Sequence, residues 1–103
     1  MKRNILEAAK VIRSKNAGPF ELTFDIIFKD SEYFDLFRSK KIINEDLVAG
    51  LLKINKDQIL SLIWFEPANA VKITIKRPRP SGAPGETDIY GAQQHAPLLA
   101  IEF

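Results

Sequence analysis

Residues 20–29, FELTFDIIFK, alternate between apolar and polar side chains, and this pattern restricts the fold more than any other feature of the chain. Apolar residues occupy every second position from 20 to 28, and Ile27 is the exception on the polar side. Because successive side chains of a β-strand point to opposite faces, the pattern predicts a strand with one buried and one wet face. The fold must therefore contain further strands that pair with it.

Two later runs predict those strands. Residues 59–66, ILSLIWFE, are almost all apolar, as in a central strand, whereas residues 70–76, AVKITIK, alternate and have one wet face. Only residues 67–69 separate the two runs, which predicts an antiparallel hairpin. We expect Trp64 and the phenylalanines at strand spacing to lie in the core.

The first fifteen residues have the spacing of a short amphipathic helix or turn. Asn4 and Glu7 are placed as an N-cap and a carboxylate three residues later, and apolar residues then recur on one helical face. We expect this element to end within RSKNAGP, residues 13–19, because asparagine, glycine and proline stop helices.

Two further helices are predicted between the first strand and the hairpin. Asp30 or Ser31 is placed to cap the first of them, which carries Tyr33, Phe34 and Phe37. Asn44 is placed to cap the second, whose apolar residues are Ile43, Leu47, Val48, Leu51 and Leu52. The last six residues, LLAIEF, fit either a final strand or the end of a helix.

This order of elements predicts a two-layer α+β sandwich with a mostly antiparallel sheet and helices on one face. At 103 residues and 46% hydrophobic, the chain is long enough for one core, so we expect a single domain spanning residues 1–103. Cysteine is absent, which excludes disulfides, thiol nucleophiles and thiolate metal sites. A net charge of +2 does not favour a nucleic-acid partner. No apolar run approaches the ~18 residues of a membrane span, and no signal peptide is recognisable, so we expect a cytoplasmic protein without a membrane partner.

Residues 77–97, RPRPSGAPGETDIYGAQQHAP, hold four of the six prolines and the single histidine. A loop of this length in a compact domain is often functional, although a plain surface loop explains it equally. Its polar residues of interest are Arg77, Arg79, Asp88, Gln93, Gln94 and His95. The two arginines match the geometry of a carboxylate or phosphate, or else they pair with Glu86 and Asp88 and hold the loop down.

His95 stands without a second histidine or clustered carboxylates, so we expect neither a metal site nor a cofactor. Its role is either a hydrogen bond that ties the loop to the core or proton transfer near neutral pH. Lys15 and Asn16 belong to the other unusual stretch, RSKNAGP, whose consecutive amides would suit an anion if the stretch is more than a helix stop.

The segments RSKNAGPFELTFDIIF and NAVKITIKRPRPSGAPGETDIYGAQQHAPLL resemble a family of small microbial proteins described as a domain of unknown function. The run GAQQHAPLL is the most specific part of this resemblance. More faintly, RSKNAG, LVAGLL and FEPANAVKITI are similar to the C-terminal small domain of AtuA-like proteins, the acyclic terpene utilisation group. This chain lacks the acidic residue of the GDKG-like turn found in those larger relatives. The resemblance implies a ferredoxin-like fold and a large AtuA-like protein partner.

Two functions are consistent with these features. The first is a non-catalytic accessory subunit or domain that associates with an AtuA-like protein, or with itself, through the sheet and residues 77–97. The second is a binding protein or small enzyme for an anionic acid or an acyl-coenzyme-A-type metabolite. Its site would combine Lys15, Asn16, Arg77, Arg79, Gln93, Gln94 and His95.

Overall fold

The computed structural model of the chain describes residues 2–18, 20–76 and 96–103. These residues form a small α+β domain with a four-stranded antiparallel sheet and two helices. The strands are β1 (Ala9–Gly18), β2 (Glu21–Phe28), β3 (Ile59–Phe65) and β4 (Ala70–Lys76). The helices α1 (Ser31–Ser39) and α2 (Glu45–Leu52) connect β2 to β3.

The strands lie in the order β1-β2-β4-β3, and each neighbouring pair is antiparallel. The alternating strand and the hairpin predicted from the sequence are both confirmed. The prediction of a central position for the apolar run is wrong among the described strands, because β3 is at the edge of their sheet and β4 lies between it and β2. The short connection after β3 brings β4 back beside it, and β4 pairs with β2 on its other side. The central position that the apolar sequence of β3 indicated is therefore occupied by β4.

The N-terminal segment departs from the predicted helix. Asn4 does act as a cap, since its Oδ1 accepts from the Leu6 amide at 2.8 Å, but only one 3₁₀ turn follows and β1 begins at Ala9. The register of β1 against β2 contains one extra residue between Ala9 and Val11. This bulge turns both Ala9 and Ile12 toward the same face, so an apolar spacing typical of a helix arises from a strand.

The caps predicted for the two helices are confirmed. Asp30 Oδ1 accepts from the Tyr33 amide at 3.0 Å and begins α1, and Asn44 Oδ1 accepts from the Leu47 amide at 2.9 Å and begins α2. Both helices bury apolar side chains against one face of the sheet, chiefly Phe34, Phe37 and Val48.

The aromatic part of the core is centred on Phe28. Its ring lies 4.7 Å from the ring centroid of Phe37 and 6.5 Å from that of Trp64. Trp64 also contacts Phe34, with ring centroids 5.7 Å apart, so Trp64 packs against the core as predicted but is only partly buried. Two of the phenylalanines predicted for strands are not buried: Phe20 precedes the paired residues of β2 and is 49% exposed, and Phe65 at the end of β3 is 54% exposed.

The last residues pack beside the first ones. A 3₁₀ turn over Ala96–Ala100 leads to Ile101, whose carbonyl accepts from the Ile5 amide at 2.9 Å. Arg3 and Phe103 exchange two backbone hydrogen bonds of 2.7 and 2.8 Å. The Arg3 guanidinium donates to the Tyr33 hydroxyl and to Glu7, and these hydrogen bonds raise the pKa of Arg3 above its usual value. Leu98 and Ile101 are buried, so both ends of the described chain contribute to the core.

The described helices cover one face of the sheet, and no helix of residues 2–18, 20–76 and 96–103 lies against the other face. We call this other face the open face; it carries Arg13, Lys15, Asp25, Ile27, Ile63, Phe65, Ala70 and Lys72. Among the helices that the structure describes, none has the length and apolar character needed to cross a membrane.

Candidate functional site

A row of charged residues crosses the open face. The strand register places Arg13 opposite Asp25, and Asp25 opposite Lys72 on its other side. Arg13 Nε lies 3.2 Å from Asp25 Oδ2, which makes an ion pair. The wet face predicted for β2 is therefore wrong at Asp25, which is only 7% exposed. A carboxylate can be held at this depth because cations flank it on both sides.

An apolar row lies directly beside the charged one. Ile27, Ala70 and Phe65 are register partners across β2, β4 and β3. Together the two rows line a groove of about 350 Å³. Its lining residues are Arg13, Asp25, Ile27, Ile63, Phe65, Ala68, Ala70 and Lys72. We call this feature the open-face groove.

The open-face groove combines exposed apolar surface with spare positive charge. Ile63 and Phe65 are each 54% exposed. Arg13 is paired with Asp25, but Lys72 forms no ion pair with any residue in the described part of the chain. Such a surface suits apolar side chains of a protein partner, or a small molecule with an apolar body and an anionic group.

The two edge strands differ sharply in how they are protected from pairing. β1 carries Lys10, Arg13 and Lys15 and has two irregularities in its register. β3 contains no charged residue and no proline, and its side chains Leu60, Ile63 and Phe65 are all about half exposed. Charges and bulges are the usual protection of an edge; β1 has both, whereas β3 has a register irregularity between Ile59 and Ser61 but no charge.

The predicted site residues fall into two groups. Lys15 lies opposite Thr23 on the open face, whereas Asn16 lies opposite Leu22 on the helix-covered face. Adjacent residues of a strand point to opposite sides, so the structure does not bring these two side chains together. The predicted helix stop at residues 13–18 is wrong, because these residues belong to β1.

The remaining predicted site residues, together with the proposed 77–97 loop, lie largely outside the described residues. They are Arg77, Arg79, Asp88, Gln93, Gln94 and His95. Their convergence on one pocket stays a prediction. Within residues 2–18, 20–76 and 96–103, no three histidine, cysteine, aspartate or glutamate side chains are grouped so that they could hold a metal ion.

Sequence reasoning missed Arg13, Asp25 and Lys72 as a set. Asp25 and Lys72 were visible as polar residues on alternating strands, whereas Arg13 fell in a segment predicted as a helix. Their proximity depends on the register between three strands, of which β1 was not predicted. The sequence therefore showed these charged residues but not the strand pairing that brings them together.

The fold and the groove define a small α+β domain, with the described helices on one face of an antiparallel sheet and a mixed apolar and cationic surface on the other. The chain belongs to the family described as Domain of unknown function (DUF4387), whose sequence model matches residues 5–102. No curated protein and no solved structure matches the chain significantly.

Proposed function

We propose that the chain is a non-catalytic accessory subunit or domain that associates with a larger AtuA-like metabolic protein through the open-face groove. The observation that carries this proposal is the groove itself, where Ile63 and Phe65 remain half exposed beside the Arg13–Asp25 ion pair. An apolar patch rimmed by charges is typical of a protein interaction surface.

The choice of partner rests on the resemblance of three segments to the small C-terminal domain of AtuA-like proteins. Two of those segments form elements that bound the groove: RSKNAG lies in β1, and FEPANAVKITI spans the end of β3 and most of β4. The predicted contribution of residues 77–97 lies largely outside the described residues and is retained as part of the proposal.

The proposal includes a ferredoxin-like fold. Its support is the unit formed by β2, the helical layer and β3, because β4 lies between the two strands that the helices connect. Here β1 takes the edge beside β2. A cytoplasmic location is also proposed, and a chain without cysteine needs no oxidising compartment.

Co-purification with an AtuA-like protein of the same organism tests the proposal. We expect the tagged wild-type chain to retain that protein at constant stoichiometry. Lys72→Glu should reduce the retained fraction, because it places a second acid beside Asp25 at the groove. Lys76→Glu is the matched control: it reverses a charge on the same strand and face but outside the groove lining, and retention should stay at the wild-type level.

Failure of the wild-type chain to retain any AtuA-like protein would overturn the accessory role. Equal loss with both variants would show a general charge effect and would remove the groove from the proposal. The remaining candidate would then be a small amphipathic anion, favoured by the spare cation of Lys72 next to the apolar row. Titration of the chain with a short-chain acyl-coenzyme A would be the corresponding measurement.

A further inference from the structure

A second groove lies between β3 and the connection from α1 to α2, and its volume is about 360 Å³. Two of its lining residues, Leu62 and Trp64, belong to the helix-covered face of β3, opposite to Ile63 and Phe65. It therefore shares no residue with the open-face groove. We call it the helix-side groove; its lining residues are Arg38, Lys41, Ile43, Asn44, Glu45, Leu62 and Trp64.

We propose that the helix-side groove binds a small carboxylic acid with a flat apolar body, such as an aromatic acid. The ring of the acid packs against Trp64, and its carboxylate lies between Arg38 and Lys41. The volume of the groove falls within the range of about 300–1,000 Å³ that is usual for small-molecule sites. The inference goes beyond the proposed function, because the groove and its ligand both differ from the surface for a larger protein.

Trp64 supplies the apolar wall of the groove. Its ring is stacked on Phe28, with centroids 6.5 Å apart, and meets Phe34 edge to face at 5.7 Å. These contacts hold the indole in one orientation, yet Trp64 is only partly buried and lines the groove. An aromatic side chain that is held on one side and accessible on the other suits a second flat ring.

Arg38 supplies a guanidinium at the rim of the groove. It lies over the Phe34 ring, 5.0 Å from the centroid, and its nitrogens are 3.5 Å from Glu66 and 3.7 Å from Asp35. Both ion-pair distances are longer than the about 2.7–2.9 Å of a charge-assisted hydrogen bond, and exposed pairs of this kind contribute little. The planar guanidinium can therefore take a closer carboxylate in a bidentate arrangement.

Lys41 supplies the second cation, and its backbone is fixed. Its φ of 52° lies in the left-handed region, and its carbonyl accepts from Asn44 Nδ2 at 2.9 Å. Since Asn44 also caps α2 through the Leu47 amide, this backbone is tied to the start of the helix. Lys41 forms no ion pair within residues 2–18, 20–76 and 96–103.

Glu45 is the one acid in the lining, against the two cations. It lies in the first turn of α2, where the helix amides stabilise a carboxylate. Neither Arg38 nor Lys41 forms an ion pair with it in the described structure. The lining therefore has an excess of one positive charge, which matches a monovalent acid.

Titration with trans-cinnamate, followed by protein fluorescence, tests the site. Trp64 is the only tryptophan and lines the groove, so its emission should change until the site is saturated. We expect a dissociation constant of about 1 mM or tighter for a ligand of this size. trans-Cinnamamide has the same shape without the charge and should bind about tenfold more weakly, because it forms no charge-assisted hydrogen bond.

Substitutions at the rim separate the two cations from general charge. Arg38→Met should raise the dissociation constant of cinnamate by about tenfold or more, and Lys41→Met by about threefold or more. Lys40→Met is the matched control: it removes a neighbouring exposed cation outside the lining, and the wild-type value should remain. Glu45→Gln should lower the dissociation constant, because it removes a like charge from the site. Circular dichroism of the variants confirms that they fold.

The absence of a saturable fluorescence change would overturn the inference, as would equal affinities for cinnamate and cinnamamide. Equal weakening by Lys40→Met and Lys41→Met would show a general charge effect and would also reject it. If Lys72→Met weakened binding and Arg38→Met did not, the acid would lie in the open-face groove instead. Co-purification with an AtuA-like protein tests the proposed function separately, since neither Arg38 nor Lys41 lines that groove.

Discussion

Phe20 and Phe28 show how the position of a side chain along the sequence pattern decides how much it contributes to stability. Both follow the same alternation, and the sequence predicted a core position for both. Phe28 is buried among Phe34, Phe37 and Trp64, whereas Phe20 is half exposed. Alternation therefore predicted the strand but could not predict which of its apolar residues would be buried.

Replacement of these two phenylalanines should have very different costs. Phe28→Ala should lower the free energy of unfolding by about 3–5 kcal/mol, because it leaves a cavity among three aromatic rings. Phe20→Ala should cost less than about 1 kcal/mol, since about half of this residue is already exposed. Urea unfolding followed by circular dichroism measures both, and equal losses would contradict the described packing.

At the scale of elements, the sequence predicted well what is decided locally. The caps of α1 and α2 were identified because a cap acts on an amide three residues away. β1 was missed because its strand state depends on pairing with β2 and on a bulge that imitates helical spacing. Tertiary pairing overrides local pattern in such a segment.

Asn44 allows the local contribution to be measured. Asn44→Ala should lower the free energy of unfolding by about 1 kcal/mol, because the Leu47 amide loses its acceptor and Lys41 loses a donor to its carbonyl. Asn44→Asp keeps an acceptor for the Leu47 amide and should recover most of that loss. Chemical denaturation of the three proteins gives the comparison. If aspartate were as damaging as alanine, the capping bond would not be the source of the effect.

At the scale of the whole molecule, both ends of the described chain complete one core. Ile5, Leu98 and Ile101 are buried with residues from the sheet and both helices. The sequence left the last six residues undecided between strand and helix, since their conformation depends on contacts with residues almost a full chain length away. For the same reason the strand order, and with it the open-face groove, could not be predicted without the pairing of β1.

A shared core predicts that the described domain unfolds as one unit. Ile101→Ala should lower the free energy of unfolding by about 2–5 kcal/mol. Trp64 is the only tryptophan and lies among Phe28 and Phe34, so its fluorescence reports on the sheet and α1. The fluorescence transition and the circular dichroism transition should shift together. A fluorescence transition that keeps its wild-type midpoint would show that the terminal segment melts independently.

The hydrogen bonds between Arg3 and Phe103 have a topological consequence. Because residues 3 and 103 lie side by side, the chain path is almost a closed ring. The order of the elements along the chain could therefore change without a change in their arrangement in space. A short linker across this junction, with a new opening at the β3–β4 connection, would start the chain at β4 and finish it at β3. Every strand pair and both helices would keep their places, and β1 would then follow the C-terminal segment in place of leading the chain. The architecture of this domain is thus compatible with a circularly permuted chain.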